Sequence, residues 1–224
     1  IDKKTNTVTK VLNLLRENKF IRNQTFKINI QKNIPHGSGL GGGSSNAADL
    51  LNFFNYKMKL NLNKKKLEKL ARQIGFDVPI NLERKNTFLN GKKNKIIRLN
   101  QKFKLNLLIV YPNLICSTKK VYKKNRIRNL IKFQTSFYIK DKVKLINFLK
   151  NEHNDLEKTV LKMYPKIKKV IDCIKNQKGC YFSRITGSGS ACIGIFSNMK
   201  NALYAKKLVK LKYPKYWCAV SKTM

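Results

Sequence analysis

Val8, Val11, Leu12 and Leu15 recur at three- and four-residue spacing, which predicts an amphipathic helix over about residues 6–18. Phe26, Ile28 and Ile30 alternate with polar neighbours and predict a strand. The pattern then breaks at Pro35-His36-Gly37-Ser38-Gly39-Leu40-Gly41-Gly42-Gly43-Ser44-Ser45 and resumes as a helical run over 46–55. Leu67, Leu70, Ala71 and Ile74 mark a second helix, with Gly75 expected as its C-terminal glycine. Residues 105–111 read as a buried strand. Val143, Ile146 and Leu149 predict a helix, and so does the run over about 155–175. Thr186-Gly187-Ser188-Gly189-Ser190 precedes an apolar strand over 191–196, and a helix (about 201–210) and a short strand near Trp217 close the chain. Strands and helices mix without strict βαβ alternation, so the fold class is α+β.

Charge changes the picture. Of the 224 residues, 49 are Lys or Arg and 11 are Asp or Glu, for a net charge of +38. Such a surplus attracts polyanions. The basic residues are mostly Lys, however, spread along the whole chain, and no aromatic-basic interleaving marks a base-stacking platform. Small phosphorylated ligands are therefore expected as partners, and specific nucleic-acid recognition is not. The five cysteines form no C-x-x-C pair and read as thiols in a reducing compartment. No apolar run approaches the roughly 18 residues of a membrane span. A cytoplasmic location and no membrane partner are expected, with a plastid-type organelle as the alternative. The chain opens on Ile1, with helical sequence almost at once, so its start reads as cut.

Five glycines in the seven positions 37–43 let the backbone approach a ligand closely, and several N–H groups can converge on one anion. The helix behind the loop adds unpaired N–H groups and the positive end of its dipole. Ser44 and Ser45 add hydroxyls where a phosphate or its Mg²⁺ would sit. No Gly-Lys-[Ser/Thr] closes the loop, which excludes a Walker A motif, and the βαβ context of a dinucleotide fingerprint is missing.

These residues, continued by Asn46-Ala47-Ala48, resemble the ATP loop of the GHMP kinases. The triple glycine is most similar to the 4-diphosphocytidyl-2-C-methyl-D-erythritol kinase family among them. Ile74-Gly75-Phe76-Asp77-Val78-Pro79 resembles the segment carrying that family's catalytic aspartate, and residues 186–196 resemble its C-terminal glycine motif. Weaker similarity runs through 6–15, 111–122 and Asn154-Asp155-Leu156-Glu157. Phe76 stands where the family has a small residue and Asn81 where it has an aromatic one. The family's first strand, with its Lys and Asn, has no counterpart before Asn6, so the chain is expected to lack that N-terminal segment, and with it part of the site.

The resemblance implies a two-domain GHMP fold. An ATP-binding domain of ribosomal-protein-S5-like form would occupy 1–103 and a ferredoxin-like domain 104–224, with the active site in the cleft between them. It implies ATP and Mg²⁺ as cofactors and phosphorylation of the 2-hydroxyl of a cytidine-diphosphate-linked methylerythritol, a step of the non-mevalonate isoprenoid route. Asp77 would be the catalytic base. Pro35, His36, Gly37, Ser38, Gly39, Leu40, Gly41, Gly42, Gly43, Ser44 and Ser45 would hold ATP, with Lys32, Asn46 and Asn6 alongside and Ser44 toward the metal. Thr118, Tyr122 and Lys123 would approach the cytidine end, and Gly187, Ser188 and Gly189 would cradle phosphate or substrate. Another GHMP kinase, an inactive anion-binding fragment and a charge-driven nucleic-acid binder are the alternatives. A monomer or homodimer is expected.

Overall fold

The computed structural model describes residues 6–90, 95–99, 103–125, 139 and 141–223. The first five residues, and 100–102 beside the expected domain boundary, lie outside the described set. The chain divides into two units: Ile1–Asn33 with Gly41–Asn100, and Ile34–Leu40 with Gln101–Met224. The glycine-rich loop is therefore shared, its first half belonging to the second unit.

In the first unit, α1 (Thr7–Glu17), α2 (Gly42–Lys57) and α3 (Lys64–Ile74) pack together, followed by a short 3₁₀ turn (Pro79–Leu82) and an antiparallel hairpin, β1 (Thr87–Asn90) and β2 (Lys95–Arg98). Asparagine side chains start two of the helices. Asn6 Oδ1 accepts from Val8 N at 3.0 Å, and Asn63 Oδ1 accepts from Lys66 N at 3.0 Å. Val11, Leu15, Ala47, Ala48, Leu51, Phe54 and Ala71 are fully buried between the helices. The small Ala47-Ala48 pair sits on the side of α2 that faces this core. At the top of α2, Thr7 Oγ1 donates to Gly43 O at 2.9 Å.

Three expectations change here. The alternating segment around Phe26, Ile28 and Ile30 is not a strand, and Ile28 and Ile30 are exposed. An alternating pattern becomes a strand only where a neighbour takes its main-chain hydrogen bonds, and no described strand lies beside it. Helix α2 starts four residues earlier than the helical run expected over 46–55, so Gly42, Gly43, Ser44 and Ser45 are its first turn rather than loop. Gly75 ends α3 with φ of 175°, which is extended backbone and not the left-handed cap expected.

The second unit is built on a four-stranded antiparallel sheet in the order β4-β5-β3-β6, from β3 (Asn106–Tyr111), β4 (Cys180–Ile185), β5 (Cys192–Phe196) and β6 (Trp217–Lys222). It also holds α4 (Thr118–Lys124), α5 (Lys142–Asn151), α6 (Glu157–Met163), α7 (Lys166–Lys175) and α8 (Met199–Lys212). The side chains alternate between two cores as the pleat requires. Leu108, Val110, Cys192 and Phe196 pack with Ile167, Val170 and Ile174 of α7 and Ala202, Ala205 and Val209 of α8. Leu107 and Ile195, from the opposite face, meet Ile146 and Leu149 of α5. At Gly194 any Cβ would fall 2.4 Å from Ile174 Cγ2, so the glycine is what lets α7 lie this close to the sheet. The single helical run expected over 155–175 is two helices, broken at Tyr164-Pro165, because the residue before a proline is driven out of the helical region.

Candidate phosphate loops and catalytic aspartate

Within the second unit, residues 34–40 lie against the turn formed by 186–190. Ala191 N donates to Ser38 O at 3.1 Å, which joins the two glycine-rich segments through the main chain. Gly37, Gly39, Gly187 and Gly189 all have positive φ, as tight turns that expose successive N–H groups require. The turn is closed by Gly189 N donating to Thr186 O and Thr186 N to Ala191 O, both at 2.9 Å. It is held from outside as well. Asn154 Nδ2 donates to Gly187 O at 2.8 Å, and Glu157 Oε2 accepts from Ile185 N at 2.8 Å. Ser190 Oγ donates to Leu114 O. Asn154 and Glu157 thus position the turn from the start of α6, and the only sequence signal for this was their weak family similarity.

Thr118 Oγ1 and Ser188 Oγ share a hydrogen bond of 2.9 Å, which joins the start of α4 to the second glycine turn. Tyr122 and Lys123, one turn further along α4, are both exposed, with Tyr122 at 59%. Burial pushes the Cys116 thiol, beside Gly189, up to about 11, which removes it as a nucleophile at neutral pH.

In the first unit, Gly41 stands at the N-cap of α2 with φ of 70° and offers no capping side chain. The first N–H groups of a helix have no partner inside it, and here the N-cap residue supplies no side chain to take them. Gly42, Gly43, Ser44, Ser45 and Asn46 form a half-buried first turn at the positive end of a 16-residue helix. That arrangement suits a phosphate. Lys32 is exposed on the extended segment before the loop, His36 is exposed, and Asn6 spends its side-chain oxygen on the cap of α1. His153 pairs with Asp155 at 3.3 Å on the surface.

Asp77 lies between α3 and the 3₁₀ turn, and its side chain is exposed. Its carbonyl accepts from Asn81 Nδ2 at 2.7 Å. Phe76 is 84% exposed, so the departure at that position leaves an apolar ring in solvent next to Asp77. Among the described residues no group of three or more His, Cys, Asp or Glu gathers to hold a metal.

The GHMP kinases N terminal domain family matches residues 6–82 and the GHMP kinases C terminal family matches 138–210. A 4-diphosphocytidyl-2-C-methyl-D-erythritol kinase of Pelagibacter ubique is 35% identical over 221 residues, covering 99% of this chain and 77% of its own length. The chain belongs to the 4-diphosphocytidyl-2-C-methyl-D-erythritol kinase family. The Caldanaerobacter subterraneus member of that family is 33% identical, with 98% of this chain and 76% of the relative covered.

Solved structures agree on the fold. A crystal structure of a 4-(cytidine 5'-diphospho)-2C-methyl-D-erythritol kinase superposes with a TM-score of 0.75 at 24% identity, covering 98% of this chain and 78% of that one. Homoserine kinase from Cytophaga hutchinsonii gives 0.74 at 16% identity, covering 100% and 77%. As a member of the family the chain is an ATP-dependent small-molecule kinase of the GHMP fold.

Proposed function

We propose that the chain transfers the γ-phosphate of ATP to the 2-hydroxyl of 4-diphosphocytidyl-2-C-methyl-D-erythritol, in the supply of isoprenoid precursors. The observation that supports this most is the uncapped, glycine-led N-terminus of α2, an anion site formed by the segment that carries the family likeness. On this reading, the N–H groups of residues 37–45 bind the triphosphate. Residues 1–103 serve as the ATP-binding domain, and 104–224 as the C-terminal domain. Lys32, Asn6 and Asn46 lie toward the nucleotide. The turn at Gly187, Ser188 and Gly189, with Thr118, receives the substrate, and Tyr122 and Lys123 serve its cytidine end.

Mg²⁺ is part of the same proposal. The half-buried hydroxyl of Ser44, in the first turn of α2, fits an ion that takes most of its ligands from phosphate and water. Bound there, the ion would neutralise charge on the transferred group. Asp77 accepts the hydroxyl's proton as transfer proceeds, or orients that hydroxyl. The exposed lysines draw in anionic substrates and do not read nucleic-acid sequence. No described helix is long and apolar enough to cross a membrane. The cytoplasm is the proposed location, and a monomer or homodimer the proposed state.

The test is Asp77→Asn, measured with the chain extended to the relatives' full length. The substitution keeps the side-chain size and removes the basicity. kcat should fall by roughly 10²–10⁴ while ATP affinity holds. Full turnover would remove Asp77 from the chemistry.

A further inference from the structure

Asp77 is exposed, yet a general base acts only if its carboxylate is held within hydrogen-bonding reach of the proton it takes. What holds it must therefore act through the backbone on either side. On the upstream side, Val78 N donates to Gly75 O at 3.1 Å. Downstream, Val78 and Pro79 are buried, and the chain turns through a 3₁₀ segment of four residues. So short a turn leaves most of its carbonyls without a donor of its own.

Those carbonyls are taken by one side chain from the hairpin. Arg98, the last residue of β2, donates from Nη2 to Pro79 O at 2.7 Å and from Nη1 to Ile80 O at 2.5 Å. Nη1 also reaches Thr87 Oγ1, opposite it on β1, at 2.7 Å. The side chain is only 8% exposed. Its Nε lies 3.7 Å from Glu83 Oε1, and Lys64 holds the same carboxylate at 2.6 Å. The hydrogen bond from Lys64, helped by the charges of Lys64, Arg98 and Lys85, keeps Glu83 below the usual carboxylate range despite partial burial. The guanidinium thus lies beside an ionised partner, although its buried Nε makes no hydrogen bond, and its planar fork meets two successive carbonyls. A buried cation spent on backbone carbonyls is costly to keep unless the geometry it imposes is needed.

We infer that Arg98, seated on Glu83, is a positioning residue for Asp77: it locks the Pro79–Ile80 main chain and thereby fixes where the aspartate carboxylate points. The inference rests on the proposed role of Asp77. Lysine at position 98 keeps the charge but loses the fork, so it cannot bridge both carbonyls and Glu83 together.

The test is a double-mutant cycle in the same full-length protein, with Arg98→Lys and Arg98→Met each made alone and with Asp77→Asn. Assays are run at temperatures where circular dichroism shows every variant folded. Arg98→Lys should lower kcat by roughly tenfold, and Arg98→Met by up to about a hundredfold, with KM for ATP nearly unchanged. In the Asp77→Asn background neither should lower kcat further, because the group they position is already gone. If Asp77→Asn abolishes turnover but both Arg98 variants keep full kcat, the positioning role is wrong and the aspartate's role stands. If the two losses multiply, Arg98 acts elsewhere and the inference is overturned. If Asp77→Asn itself retains full turnover, the aspartate's role fails and the inference falls with it.

Discussion

A Cβ added to Gly39 would lie 2.6 Å from the carbonyl oxygen of Gly189, so two segments 150 residues apart touch through bare backbone. Gly39 also has φ of +78°, where an L side chain costs about 1–2 kcal/mol before any clash. Gly39→Ala should therefore destabilise the second unit by more than that amount. The denaturant midpoint of the protein reads this directly, and an unchanged midpoint would mean the two segments do not meet this way.

Gly42 behaves in the opposite manner. A Cβ there meets nothing within 4 Å, and its φ is not positive. Gly42→Val should leave the fold intact apart from a small helix-propensity change, yet place its methyl groups where phosphates would bind. Calorimetry should show ATP affinity falling by at least about tenfold with the melting temperature held within a few degrees. Unchanged affinity would take the first turn of α2 out of the nucleotide site.

These two glycines show what was legible in the sequence. Density of glycine and serine before an apolar run points to an anion loop, because few other roles need that much bare backbone beside a helix start. It could not show that α2 begins at Gly42, since the apolar pattern starts only at Ala47. Nor could it show that Ser38 is bonded to Ala191, which depends on chain 153 positions away. The segment at Phe26–Ile30 had the alternation of a strand, but no strand among the described residues lies beside it. Arg98 was invisible for a different reason. Nothing local distinguishes a lysine-rich hairpin's last arginine from its solvated neighbours until the 3₁₀ turn is folded against it.

The buried thiols give the protein a one-sided pH profile. Burial raises Cys116 and Cys180 to about 11, and pushes Cys192 up further still. In the unfolded chain the same thiols titrate near 8.5. Above that pH the unfolded state loses protons that the folded state keeps, so stability is full below about pH 8.5 and falls as pH rises toward 11. Thermal melts from pH 7 to 11 should show this fall, reduced in Cys116→Ala. In the native protein at pH 8, Cys116 and Cys180 should react with iodoacetamide roughly a hundredfold more slowly than an unburied thiol. Labelling as fast as in the denatured chain would contradict the packing around both.

The kinase reading rests most directly on which alcohol is phosphorylated. With the chain extended to the relatives' full length, ATP and Mg²⁺ supplied, and product followed by ³¹P NMR, three alcohols are compared: 4-diphosphocytidyl-2-C-methyl-D-erythritol, mevalonate and homoserine. The account predicts a new phosphomonoester on the cytidylylated methylerythritol alone, formed at a rate that Asp77→Asn lowers by roughly 10²–10⁴. Faster phosphorylation of mevalonate or homoserine, or turnover of the cytidylylated substrate that Asp77→Asn leaves untouched, would contradict it.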